Sequence, residues 1–257
     1  MKTLILTPNK TEMCGMYQLA KDLAKEFDGD ILTRDDNWSW KLDKTNYAIN
    51  TQGYDQVITL FYPMHKYGKL AQKNRAKWIC YDQAIPPVNK MMFPNFFRRQ
   101  YMKLFKILNE SSMAGADEYW DISRPQKPRW TEKKLDLNGM KIAEKCAIYL
   151  GRTDDYKNYE WLSETMQELH IHLIHPQKVS DEEVHFYLSN AKMLVTASLW
   201  EGFGRGVAES EALGIPAVCY DVGQHKKHVK KGICVPCYNK EMFKDAVSEV
   251  WRRECQQ

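Results

Sequence analysis

Two glutamates, Glu201 and Glu209, bracket three glycines in the stretch Glu201-Gly-Phe-Gly-Arg-Gly-Val-Ala-Glu209. Glycine lets a backbone turn sharply and approach a ligand closely, so Gly202, Gly204 and Gly206 predict a tight turn. From Arg205 to Leu213 the residues suit a helix, which Gly214 and Pro216 would stop. The apolar run Lys192-Met-Leu-Val-Thr-Ala197 before the turn reads as a buried strand, and Ala217-Val-Cys-Tyr220 after the helix as the next one. Strand, glycine turn and helix together present free backbone N–H groups at a helix N-terminus, a site for an anion such as a diphosphate. A carboxylate beside a phosphate is unfavourable. Glu201 and Glu209 are therefore expected to accept hydrogen bonds from hydroxyl groups of a sugar or ribose.

Glu201-Gly-Phe-Gly, Glu209 and Glu211-Ala-Leu-Gly-Ile-Pro resemble the signature of the family 4 retaining glycosyltransferases, which have the GT-B fold. The resemblance implies an α/β protein of two Rossmann-like domains facing across a cleft, in a minimal version that ends before a helix found in larger relatives. It implies that Glu201 holds the transferred sugar and Glu209 the nucleotide ribose, while the amides of Gly202, Phe203 and Gly204 contact sugar and diphosphate. Arg205-Gly206 stands where the family usually has Leu-Pro, and a cation there could reach a phosphate. Arg152 and Lys157, in the loop Gly151-Arg-Thr-Asp-Asp-Tyr-Lys157, match the family's basic pair that neutralises the donor diphosphate. Cations and helix dipoles then stabilise the leaving group in place of a metal. Gly15 matches the first-loop glycine near the diphosphate, and Lys178-Val179 lie near where the family reads the nucleotide base. Asp82 matches the acid of a His-Asp pair whose histidine is here Tyr81, and His65 is the residue that could compensate.

These groups need elements to position them. Lys2–Thr7 reads as a strand, and Leu19, Leu23 and Phe27, four apart, as the inner stripe of a helix. A strand, glycine loop and helix at the start is how a mononucleotide-binding unit begins. Strands are expected at 56–61, 77–81 and 117–123, with Asp82 and His65 following two of them. Polar residues there face the ligand crevice of a parallel sheet. Phe97, Tyr101, Leu104, Phe105 and Leu108 fall on one helical stripe with Arg99, Lys103 and Lys106 opposite, usually a core stripe under a solvated face, although the run just before it has more exposed-looking hydrophobes than a plain helix needs. Residues 124–143, with Pro125, Pro128 and Gly139, are the linker candidate, giving domains at 1–133 for the acceptor and 134–257 for the nucleotide-sugar. The second half restarts with a strand at 146–150, a helix carrying Trp161, Leu162, Thr165 and Leu169, a strand at 171–175, and a capping box Ser180-Asp-Glu-Glu183. A last helix is expected over 241–251.

Composition narrows the function class. An apolar content of 44% with 27% charged residues is that of an ordinary globular protein. No apolar stretch approaches the roughly 20 residues of a membrane span, and the N-terminus enters a strand with no signal peptide. Seven cysteines, an odd number, do not form a secreted disulfide framework, so a reducing cytoplasm is expected, a host cell's if the chain is viral. Residues 1–140 carry 22 Lys and Arg against 16 Asp and Glu, and the strip 66–106 holds ten basic residues against Asp82 alone. Arg98, Arg99 and Lys103 of that strip, with His65, are the acceptor-side candidates, and the strip points to a polyanionic acceptor. Hydroxymethylpyrimidine DNA of a phage would offer both charge and a hydroxyl. An anionic membrane surface carrying a lipid or glycan is the alternative, because 91–108 mixes aromatics and cations as interfacial helices do.

Two metal-like patterns need weighing. Asp28-Gly-Asp30 sits where a helix should turn into a strand and reads as turn chemistry. His225-Lys-Lys-His228 with Cys234-Val-Pro-Cys237 has the spacing of zinc ligands, but four neighbouring lysines would repel a cation. Neither metal nor cofactor is expected. The sequence therefore points to a hexosyltransferase that takes a nucleotide-sugar, such as a UDP- or GDP-hexose, as substrate. A non-catalytic nucleotide- or nucleic-acid-binding relative of the same fold is the rival from another class.

Overall fold

The computed structural model describes residues 1–8, 15–33, 51–60, 62–82, 87–88, 92, 95–121 and 128–256. The loop before Gly15, Pro86, most of the 91–94 run, Ser123 and residues 124–127 of the linker candidate lie outside them. The chain divides into two compact units. Unit 1 is Met1–Ile85 with Gln100–Gln126, and unit 2 is Pro86–Arg99 with Lys127–Gln257.

Unit 1 contains β1 (Thr3–Thr7), α1 (Gly15–Phe27), β2 (Asp30–Thr33), β3 (Gln56–Leu60), α2 (Tyr62–His65), α3 (Gly68–Lys73), β4 (Lys77–Tyr81) and β5 (Glu118–Trp120), and α4 (Phe96–Met113) runs into it. Unit 2 contains β6 (Ala147–Ile148), a 3-10 turn at Asp155–Lys157, α5 (Tyr159–Glu168), β7 (Leu173–Ile174), α6 (Asp181–Asn190), β8 (Met193–Thr196), α7 (Arg205–Ala212), β9 (Ala217–Tyr220), α8 (His225–His228), β10 (Ile233–Val235) and α9 (Lys240–Cys255). Each unit builds one parallel sheet. The orders are β2-β1-β3-β4-β5 and β10-β9-β8-β6-β7. Numbered from its own first strand, each sheet reads 2-1-3-4-5, a doubly wound α/β topology. This is the two-fold Rossmann-like architecture expected from the sequence. Its switch point lies between the first and third strand of each unit: β1 and β3 in unit 1, β6 and β8 in unit 2.

Strands covered on both faces read as continuous apolar runs, which is why β1, β3, β8 and β9 were legible and are buried throughout. In unit 1 Leu19, Ala20 and Leu23 of α1 pack on Ile5, Ile58 and Ile79. In unit 2 the rings of Trp161, Tyr220 and Phe243 join α5, β9 and α9 across one face. The capping box is present: Ser180 Oγ accepts from the Glu183 N–H at 3.2 Å, and Glu183 Oε2 from the Ser180 N–H at 2.7 Å. Asp28 adopts a left-handed φ of 48° between α1 and β2, so Asp28-Gly-Asp30 is a turn.

Two expectations are overturned. His65 is not on a surface that could meet an acceptor. It ends α2 fully buried, with Nδ1 2.9 Å from the Thr59 hydroxyl and 3.3 Å from Cys80 Sγ. Spacing alone placed it after a strand, but the short helix turns it inward. Burial pushes its imidazole pKa down to about 4 and is the first cause raising the Cys80 thiol to about 12. An unfolded histidine titrates near 6.5, so the unfolded chain binds the extra proton first on acidification. Stability from this group is complete above about pH 6.5 and is lost as pH falls toward 4, by roughly 3 kcal/mol. Denaturant melts of wild type and His65→Gln across that window should show a steeper acid loss in the wild type. Equal slopes would contradict the buried neutral imidazole.

The stripe on α4 is not core-facing. Only Phe105 and Asn109 of this helix are buried, whereas Phe96, Phe97, Leu104 and Ile107 are 57%, 80%, 56% and 58% exposed. Periodicity shows that a helix has one apolar face, not what covers it. Phe97, Tyr101, Leu104 and Leu108 run along the helix at i, i+4, i+7 and i+11, and Arg99, Lys103 and Lys106 follow the same spacing on the opposite face.

Candidate active site

In an open α/β sheet, ligands bind beyond the carboxyl ends of the strands at the switch point. In unit 2 those ends belong to β6 and β8, paired through Ala147↔Met193 and Ile148↔Leu194. The loops that leave them carry Arg152 to Lys157 and Ser198 to Gly204. They meet: the Lys157 ammonium donates to Glu201 Oε1, both side chains being mostly buried. Burial acts most strongly on Glu201 and pushes its pKa up. The Lys157 ammonium and the Ser198 hydroxyl outweigh it and hold the carboxyl below the ordinary range. Arg152 reaches outward, 74% exposed, with Nη2 donating to Tyr156 Oη at 2.6 Å and lying 3.0 Å from Asp154 Oδ2. Tyr156 is buried, which pushes its phenol up to about 12.

The glycine turn is braced from below. Gly204 caps α7 with φ +75°, and a side chain there would lie 2.2 Å from His225 Cδ2. The Gln224 N–H donates to the Gly202 carbonyl at 3.1 Å, and His228 Nε2 donates to the Phe203 carbonyl at 2.8 Å. His225 Nδ1 donates to the Tyr220 carbonyl at 3.0 Å. Burial lowers the pKa of both histidines, so each is a neutral donor with its tautomer fixed by a carbonyl. The His225-x-x-His228 pair thus supports the turn. Cys234 lies in β10 opposite Cys219 of β9. Among the described residues no three His, Cys, Asp or Glu gather as a metal cage.

Glu209 sits on α7, 1% exposed, within a guanidinium fork. Arg129 Nε and Nη2 donate to its two oxygens at 2.6 and 2.9 Å, while Nη1 donates to Asp181 Oδ1 at 2.6 Å. Arg205 Nη1 lies 3.8 Å from Glu209 Oε1, so this side chain runs along its own helix. Arg129 was missed by the sequence reading because it fell within the linker candidate. The stretch is no free linker from Arg129 onward: Lys134 N–H donates to Ser189 Oγ at 2.9 Å, and Asn190 Nδ2 to the Lys134 carbonyl at 3.0 Å. Glu211, quoted only as part of a motif, accepts the backbone N–H groups of Ala217, Lys230, Lys231 and Gly232, which ties α7 to β9 and β10.

The remaining candidates are dispersed. Lys178 is exposed with a left-handed φ of 54°, and Val179 is half-buried just before the α6 cap. In unit 1, Gly15 opens α1, and Asp82 follows β4 with its N–H on the Trp120 carbonyl at 2.8 Å. On α4, Arg98 pairs with Asp155 at 3.2 Å and Asp154 at 3.4 Å, Arg99 lies over the Phe96 ring, and Lys103 is exposed.

Residues 146–256 match the model of the family described as glycosyl transferases group 1. Among solved structures, sucrose-phosphate synthase from Thermosynechococcus elongatus is similar at 15% identity and a TM-score of 0.72, over 99% of this chain and 90% of that one. A glycosyltransferase from Rickettsia africae ESF-5 has 13% identity and a TM-score of 0.53, over 99% and 88%. Anabaena HepE in complex with UDP-glucose has 11% identity and a TM-score of 0.52, over 99% and 94%. No curated protein matches the chain. These structural likenesses share the GT-B fold. Residues 146–256 of unit 2 therefore match a glycosyl transferases group 1 domain, which together with the GT-B fold supports a glycosyltransferase.

Proposed function

We propose that this glycosyltransferase moves a hexose from a nucleotide-sugar to a hydroxyl group with retention of configuration, without a metal ion, on an acceptor held at an anionic membrane surface. The observation that carries the donor half is the Lys157–Glu201 pair at the switch point of unit 2. Lys157 and Arg152 supply the cations that a departing diphosphate needs, and the turn amides at the start of α7 add their dipoles. Glu201, ionised and held by Lys157, orients the sugar hydroxyls. Glu209 takes the ribose. Asp82, which follows β4 in unit 1, is the remaining catalytic candidate. The UDP-glucose held by Anabaena HepE supports a nucleotide-sugar donor.

The acceptor half rests on α4. A helix that exposes Phe96, Phe97, Leu104 and Ile107 beside Arg99, Lys103 and Lys106 suits a hydrocarbon boundary under anionic headgroups. Nucleic acid would reward the cations but leave most of that apolar area in water. Among the described residues no helix is long and apolar enough to cross a membrane. The second reading, hydroxymethylpyrimidine DNA of a phage, draws on the exposed Lys226, Lys227, Lys230 and Lys231.

Labelled UDP-, GDP- and ADP-hexoses, offered with EDTA and with either phosphatidylglycerol vesicles or hydroxymethylated DNA, test this reading. Label should enter the lipid phase in the anomeric configuration of the donor. Sedimentation with anionic but not phosphatidylcholine vesicles is expected, and Phe97→Glu with Leu104→Glu should weaken it about tenfold or more. Salt-sensitive binding to DNA with none to vesicles would overturn the membrane reading in favour of the phage one.

A further inference from the structure

Glu209, the proposed ribose ligand, is covered. We infer that Arg129 is an affinity-setting residue of the nucleotide site: its guanidinium occupies the Glu209 carboxylate that ribose hydroxyls need, and binding must displace it. The inference rests on the ribose role proposed for Glu209, and it goes beyond that role by naming what competes for the carboxylate.

The cover is specific. Both oxygens of Glu209 are engaged in parallel by Nε and Nη2 of one guanidinium, the geometry of the strongest charge-assisted pairing. The third nitrogen is held by Asp181 at the start of α6. The guanidinium carbon lies 4.0 Å from the Trp130 ring centroid, and Trp130 stacks on His185 at 4.5 Å with planes 6° apart. With Arg205 nearby, two guanidinium groups balance two carboxylates. Glu209 is therefore satisfied with no nucleotide present, at 1% exposure. A diol can reach it only if the fork opens.

Opening does not require unit 2 to unfold. Arg129 lies on an irregular stretch rather than inside a helix or strand, and its side chain retains 15% exposure. The backbone of that stretch is anchored separately, through Lys134 to Ser189 and Asn190. The guanidinium can therefore swing while its backbone stays in place. Asp181 remains as its partner when Glu209 turns to the ribose, so the displaced charge keeps a counter-ion.

Calorimetric titration of the full chain with UDP, GDP and ADP, and with the 2′,3′-dideoxy form of whichever binds, tests this. Arg129→Ala should tighten the ribonucleotide about tenfold, because the competing fork is gone, and leave the dideoxy form unchanged. Arg129→Lys keeps a cation beside Asp181 but cannot engage both Glu209 oxygens in parallel, and should tighten binding about threefold. This second variant serves if Arg129→Ala does not fold. Weaker or unaltered ribonucleotide binding in whichever variants fold would overturn the role of Arg129. If instead the wild type binds both forms equally, or Glu209→Gln costs no affinity, the ribose role of Glu209 fails and the inference with it. Those results are read on wild type and Glu209→Gln alone, so the two failures are distinguishable.

Discussion

Glu201→Ala is expected to lower the rate of glycosyl transfer about 100-fold while changing nucleoside diphosphate affinity much less. The reason lies in what the carboxylate touches. Its Oε1 accepts from Lys157, and its pKa is held low, so it is a charged acceptor fixed at the carboxyl end of β8. A charge-assisted hydrogen bond is worth about 1.5–3 kcal/mol, and removal also releases Lys157 from the position proposed for meeting the diphosphate. Lys157→Ala should therefore lower turnover comparably but weaken the diphosphate as well. Steady-state kinetics with the matched donor, beside calorimetry with the free diphosphate, separate the two. Wild-type turnover in both variants would show that the site lies elsewhere.

Gly204→Ala should be strongly destabilising. At φ +75° an L-residue is strained by about 1–2 kcal/mol. The added Cβ would also sit 2.2 Å from His225 Cδ2 and 2.7 Å from Nε2. The ring cannot retreat easily, since it is buried and its Nδ1 is tied to the Tyr220 carbonyl. A loss of about 3–5 kcal/mol in chemical denaturation is expected, with donor binding abolished at temperatures where the chain remains folded. Adding His225→Ala should recover part of the stability by removing the clash, but not the part due to φ. A single variant as stable as wild type would contradict the turn geometry on which the site depends.

The parts legible in the sequence were those that follow from local chemistry. β1, β3, β8 and β9 are continuous apolar runs because both faces are covered, and they were found within a residue or two of their ends. The box at Ser180 and Glu183 and the stop at Gly214 are fixed by backbone groups that need partners nearby in the chain. The glycine turn was legible for the same reason. What the sequence concealed depends on groups far apart along the chain. Arg129 meets Glu209 across 80 residues, with no spacing that could announce it. His65 turned inward because Thr59 and Cys80 offer it partners within the core. The α4 stripe showed the right period and the wrong environment, since a hydrophobic face is equally periodic whether the fold covers it or leaves it exposed. The histidine and cysteine pairs had the spacing of a zinc site, yet the ring nitrogens of His225 and His228 serve the carbonyls of Tyr220 and Phe203.

The most direct test of the central claim, that the Lys157–Glu201 site of unit 2 activates a nucleotide-sugar, is nucleoside diphosphate release from UDP-, GDP- and ADP-hexoses by the full chain, with Glu201→Ala and Lys157→Ala measured alongside. The account predicts release above background from one donor class, lowered about 100-fold in Glu201→Ala and to a similar degree in Lys157→Ala. Release from none of the three, or release undiminished in both variants, would contradict it.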